Sequence, residues 1–177
     1  RIESDHERDI AYRSIAQAAA GDGAHHLAYN TMQSISRMDE KALALVSMAR
    51  FRLRQGDDRQ AFTLLEDARR SIPRITSSHA KDKVRANLAL VYAESDDTGK
   101  SLPLAKAIAN PRLRDTALGN LAYTLATNND IYTAQQSAQA IATDSVRVIA
   151  EDRVASAAAR RIKPHRALKA SRMLGSG

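Results

Sequence analysis

Asn110-Pro-Arg-Leu-Arg-Asp-Thr-Ala-Leu-Gly-Asn-Leu-Ala-Tyr-Thr-Leu-Ala-Thr-Asn-Asn-Asp130 reads as one helix between two signals. Asn110-Pro111 is an N-cap followed by Pro at the first helical position, where the missing N–H is not needed. Ala117, Leu121-Ala122 and Leu125 then recur at the spacing of one helical stripe. Asn128-Asn129-Asp130 ends that helix and caps another. In the second helix Ala134, Ala138 and Ile141 again fall on one stripe. The unit is helix A, a short turn, helix B.

The same unit recurs along the chain. Its hydrophobic–Ala pair appears as Ile15-Ala16, Met48-Ala49, Leu88-Ala89, Leu121-Ala122 and Val154-Ala155, at steps of 33, 40, 33 and 33 residues. A fixed period of that size marks a helical repeat array. Four residues before the pair stand Ala11, Ala44, Val84, Ala117 and Ala150. Seven before it stand Arg8, Lys41, Lys81, Arg114 and Arg147, all basic. Thirteen after it stand Ala28, Ala61, Ser101, Ala134 and Ala167, and twenty after it Ile35, Ala68, Ile108, Ile141 and Leu174. Ala at the two inner columns lets the paired helices approach closely, because a larger side chain would overpack the contact.

The turns agree: Gly21-Asp22-Gly23, Gly56-Asp57-Asp58, Asp96-Asp97-Thr98-Gly99 and Asn128-Asn129-Asp130. Asp39 and Asp144-Ser145 are expected to cap the A helices of repeats two and five, and Lys163-Pro164 to open the last helix B. The expected helix pairs are 6–20 with 24–36, 39–55 with 58–71, 78–94 with 99–109, 112–127 with 131–142, and 145–161 with 164–174. That makes ten helices in one domain, 2–174, with repeats at about 2–35, 36–74, 75–108, 109–141 and 142–174 and a flexible tail at 175–177. The last helix is polar on its outer face and could cap the array. The 40-residue step places seven extra residues around 69–78. Pro73 argues for a helix ending near Ser71 and then a longer connection.

Composition fits an all-α chain. Of 177 residues 44% are apolar and only 4% aromatic, with Gly 7, Pro 4, no Trp and no Cys. The missing Cys excludes disulfides, thiol catalysis and Cys-based zinc sites. No apolar stretch nears the roughly 18 residues of a membrane span, so a soluble protein of cytoplasm or periplasm is expected. The chain begins Arg1-Ile2-Glu3 without Met and is expected to be a piece of something longer.

The column pattern resembles the tetratricopeptide repeat, which pairs a hydrophobic with a small residue early in helix A and carries Ala at two later positions. Met48-Ala49, Ala61 and Ala68 match in the second repeat, with Pro73 where the family often has its terminal proline. Leu121-Ala122, Ala134 and Ile141 match in the fourth, and Tyr92 sits in the family's Tyr column. The family's early Trp is missing and the step is 33. The likeness is to the Ala-rich arrays common in bacterial proteins. It implies an α-solenoid of about five helix-turn-helix repeats, wound as a right-handed superhelix with the A helices on the concave side. Such an array acts as a scaffold or adaptor that binds a peptide or partner helix.

On that geometry the groove is lined by Arg50, Arg54, Asn87, Asn120, Tyr123 and Arg153. Asn amides hydrogen-bond peptide backbone and Arg binds carboxylates in a fork, so the groove suits an extended peptide with acidic groups. A solvated inner face is the plainer account. Asn120 and Arg153 also fall on two positions of the family's carboxylate clamp, whereas Ala86, Leu90 and Ile149 stand where its other ligands would be. The related pentatricopeptide arrays read RNA through a helix-A column that here holds Arg13, Val46, Ala86, Gly119 and Asp152, mostly not readers.

Net charge is +7. It concentrates at the end, where Arg160, Arg161, Lys163, Arg166 and Lys169 form a candidate patch for nucleic acid or another anionic partner. Catalytic, metal and cofactor residues are not expected. His6, His25, His26, His79 and His165 are scattered, and neither a phosphate loop nor a nucleophile elbow occurs. A helical portion of a larger enzyme is the remaining alternative.

Overall fold

A computed structural model describes residues 4–95 and 97–174, with side chains as far as 160. The described residues form nine α-helices and no strand. They are α1 (Asp5–Gly21), α2 (His25–Gln33), α3 (Met38–Arg54), α4 (Asp58–Ser71), α5 (Ser78–Glu94), α6 (Ser101–Lys106), α7 (Pro111–Thr127), α8 (Ile131–Gln139) and α9 (Asp144–Leu174). Single 3₁₀ turns, Ile72–Arg74 and Thr98–Lys100, follow α4 and precede α6.

The hydrophobic–Ala pairs govern this layout. Helices α1, α3, α5 and α7 are each 17 residues long, and each begins ten residues before its pair and ends six after its first member. Each packs on its even-numbered partner and on the next odd-numbered helix, and α7 packs in turn on α9. Met48, Leu88, Leu121 and Val154 are buried, as are Ala16, Ala49, Ala89 and Ala122. The exceptions are terminal. Ile15 is 47% exposed, and Ala155 is exposed.

The turns between paired helices close in one way. Gly23, Gly56 and Asn129 stand eight residues after the pair with φ of 75°, 75° and 74°. The next amide in each case reaches back to the preceding helix: Ala24 to Ala19, Asp57 to Arg52, Asp130 to Leu125. This is the left-handed C-terminal closure that glycine, and less often asparagine, allows. Asp57 and Asp130 then accept from the amides of Gln60 and Thr133, and Asn110 and Ser77 cap α7 and α5.

Several expectations are corrected. Lys163-Pro164 opens no new helix: α9 runs through it for 31 residues, so the expected pair 145–161 and 164–174 is one helix and the count is nine. It does not fold back as a terminal cap. Asp39 lies inside the first turn of α3, paired with Arg37, while Arg37 itself is the cap residue and makes no side-chain cap bond. Asp144 likewise begins α9 and pairs with Arg147. The seven extra residues divide between helix and connection. Helix α4 has 14 residues against nine in α2 and α8, and its connection, 72–77, is two residues longer than the four-residue links 34–37, 107–110 and 140–143. Asp96, the tail 175–177 and the side chains of Arg161, Lys163, Arg166 and Lys169 lie outside the described residues.

Candidate functional site

Three of the short links are held by one buried carboxylate each. Asp9, Asp82 and Asp115 stand six residues before their pairs, and all are buried. Asp9 accepts from the amides of Ser36 and Arg37 at 3.1 and 2.7 Å. Asp82 accepts from Ala109 and Asn110 at 3.0 and 2.9 Å, and Arg85 adds an ion pair at 3.2 Å. Asp115 accepts from Ala142 and Thr143 and from the Thr143 hydroxyl at 2.6 Å. The Thr143 hydroxyl and the two amides hold the Asp115 carboxyl below its ordinary range despite burial. Burial pushes Asp82 upward, but the two amides and Arg85 outweigh it and hold that group low as well. The second segment has Ala42 in this register, and its link is the long one. This column is structural. Sequence reading missed it because an aspartate in three copies of five looks like an ordinary solvated helix charge.

Along the packed odd helices, the columns one before and two after the first pair member face each other. Between α1 and α3 they are joined: Gln17 donates to Ser47 at 2.7 Å, and Arg13 pairs with Glu40 beside it at 2.5 Å. Between α3 and α5, Arg50 pairs with Glu94 at 2.8 Å. That ion pair withdraws Arg50 from the expected groove, although its Nη2 is buried without a partner. Arg54 is exposed at the end of α3 and does not line the hollow that holds Asn87 and Asn120.

Among the described residues no bond joins these two columns beyond α3. Asn87 and Asn120 line one shallow hollow between α5 and α7, with Leu90 on its wall. Asn87 donates back to the Lys83 carbonyl, and Leu90 offers Asn120 nothing to bond. Tyr123 and Arg153 line a second, larger hollow of about 410 Å³ between α7 and α9, together with Asp152 and Arg160. Tyr123 is 52% exposed. The structure therefore brings together Asn87 with Asn120, and Tyr123 with Arg153 and Arg160. Arg50 and Arg54 stand apart.

A third hollow, also about 410 Å³, shares no residue with these. It lies between α2, α3 and α4, lined by Met32, Met38, Leu45 and Leu64, with Lys41, Arg70 and Arg74 around it. It was not anticipated, although the break in period at 69–78 was the signal that could have found it.

A polar cluster binds α4 to α5 and the following turn. Tyr92 donates to Glu66 at 2.8 Å, and Lys100 reaches both Glu66 and Asp97 at 3.1 and 2.7 Å while sitting over the Tyr92 ring. Arg69, Tyr92 and Lys100 together draw the Glu66 carboxyl down to about 2, and burial together with Glu66 pushes the Tyr92 phenol up. Among the described residues no three His, Asp or Glu side chains are grouped to hold a metal ion, and no helix is long and apolar enough to cross a membrane.

Comparison of the chain with protein-family models, with curated proteins and with solved structures finds no match.

Proposed function

We propose that this chain is a non-enzymatic protein–protein interaction module, a short tetratricopeptide-like α-solenoid that holds a peptide or partner helix along the α5–α7–α9 face. The observation that carries the reading is the change in pairing along that face. The facing columns are bonded to each other between α1 and α3, but are Leu90–Asn120 and Tyr123–Arg153 farther on, with no hydrogen bond between them among the described residues. Equal-length helices packed odd on odd support the solenoid. Asn87 and Asn120 are suited to peptide amides, Tyr123 to stacking, and Arg153 and Arg160 to a carboxylate. Arg50 serves the array through Glu94 and is left out of the contact set.

The test is a peptide array followed by titration calorimetry with Asn120→Ala, Arg153→Glu and Arg50→Ala. The first two are expected to weaken binding at least tenfold and the third by less than threefold. Equal binding by all four proteins would place the contact elsewhere.

A second reading is contact with nucleic acid or another anionic partner along α9. One observation favours it: the eight basic residues from Arg147 to Arg172 lie on a single uninterrupted helix. If about six phosphates are met, affinity should fall roughly a thousandfold between 50 and 200 mM salt. No binding of RNA or DNA at the lower salt would refute it.

A further inference from the structure

The insertion that breaks the period also builds a hollow. Its far wall is made by Asp67, Arg70 and Ser71, all from the turns by which α4 exceeds α2 and α8, and by Arg74 of the lengthened link. The near wall is α2, which ends at Gln33. The floor is α3, where Ala42 replaces the aspartate found in the same register of α1, α5 and α7. Two departures from regularity, the added turn and the missing carboxylate, thus meet at one place.

The chemistry of the hollow is amphiphilic. Met32, Met38, Leu45 and Leu64 give it an apolar lining. Methionines adapt to irregular shapes and recur at surfaces that accept varied apolar groups. Tyr29, 52% exposed, stands at the edge. The cations are Lys41, Arg70 and Arg74, against a single acid, Asp67, which lies 3.9 Å from Arg70. Lys41 is held by Gln33 at 2.9 Å, a neutral partner that leaves its charge unmatched. The volume lies in the range of roughly 300–1,000 Å³ typical of ligand pockets.

We propose that this hollow is a second docking site, taking a short segment of a partner protein in which a bulky aliphatic side chain is flanked by acidic residues. The aliphatic group enters over Met32 and Met38, and the acids meet Lys41, Arg70 and Arg74. The site is separate from the α5–α7–α9 face and stands or falls independently of it.

The experiment uses the full chain with ¹³C-labelled methionine methyls and a synthetic dodecapeptide with a central Leu-Leu flanked by two Glu on each side. Peptides with Gln for Glu, or with Gly for Leu, are the controls, and decanoate is a further probe. Addition of the acidic peptide is expected to shift the Met32 and Met38 methyl signals while Met48, buried elsewhere in the core, stays fixed. Either control should bind at least tenfold more weakly, as should the wild-type peptide to Arg70→Ala/Arg74→Ala. Asp67→Asn should bind about threefold more tightly. Both arginine positions are exposed, so these variants are expected to fold, and unchanged far-ultraviolet circular dichroism checks it. Absent Met32 and Met38 shifts at millimolar peptide, equal binding of the Gln control, or unaltered affinity in the double variant would each overturn the proposal. Binding of decanoate with none of the acidic peptide would overturn it in favour of a small amphiphile.

Discussion

Asp115→Ala removes the acceptor of three donors. The Ala142 and Thr143 amides and the Thr143 hydroxyl all converge on that carboxylate. A hydrogen bond to a charged group contributes about 1.5–3 kcal/mol, and water can re-solvate part of an exposed link. Ala142 and Thr143 are exposed, so the expected loss is about 2–4 kcal/mol rather than the full sum. Asp82→Ala should follow closely, since two amides and Arg85 lose their partner. Asp9→Ala should cost least, about 1–2 kcal/mol, because both amides there share Oδ2 and the other oxygen is buried unpaired. Urea unfolding followed by circular dichroism gives the three values, and hydrogen exchange at residues 109, 110, 142 and 143 locates the loss. Changes below about 0.5 kcal/mol at both Asp82 and Asp115, or Asp9→Ala as the most damaging variant, would refute the idea that these carboxylates hold the links.

Further outcomes are expected. Gly56→Ala, at φ +75°, should destabilise by about 1–2 kcal/mol, while Gly21→Ala, whose added methyl meets nothing within 4 Å, should be neutral or stabilising by thermal melting. Glu66, Asp82 and Asp115 all have lowered pKa values. Their contribution is complete above their ordinary pKa values and is lost as pH falls through the folded ones, so unfolding should set in on acidification below about pH 4.5. Glu66→Gln should flatten the part of that decline between about 4.5 and 2; an unchanged acid profile would remove Glu66 from the account. Tyr92→Phe should lower stability by about 1 kcal/mol, through the hydrogen bond to Glu66 alone.

The sequence carried the helices well and the joints between them poorly. Periodic residues such as Leu88, Ala122 and Ala134 report packing directly, because burial on a helix has a fixed spacing. Turn glycines at 23 and 56 report a positive φ that few other residues adopt. The isoleucines were aligned to the wrong neighbour. Ile35, Ile75, Ile108 and Ile141 are all buried and all stand thirteen residues before the following pair. They belong to the approach of the next helix, and only the long second segment separates that choice from the other. Pro164 misled for a different reason: a proline marks a helix start only where the preceding turn also breaks, and α9 is continuous there. The candidate residues were legible as positions on helices and not as contacts. Spacing put Asn120 and Tyr123 on one A helix and Arg153 on the next, where α7 and α9 hold them, but it could not show that Glu94 would claim Arg50.

The missing aspartate at Ala42 has a mechanical meaning. Three joints are pinned by directional bonds, which fix an angle. The link at 72–77 has no such carboxylate: Ile72 and Ile75 are pressed into the core, and the directional bonds across the joint lie off the link, from Tyr92 and Lys100 to Glu66 and from Arg50 to Glu94. The link itself is thus the least constrained of the four, while the helices on either side of it stay bonded to each other and share one core. Hydrogen exchange at the amides of 76 and 77 should therefore outpace that at their pinned counterparts 36, 37, 109, 110, 142 and 143, and equal protection would show that the carboxylates add nothing there.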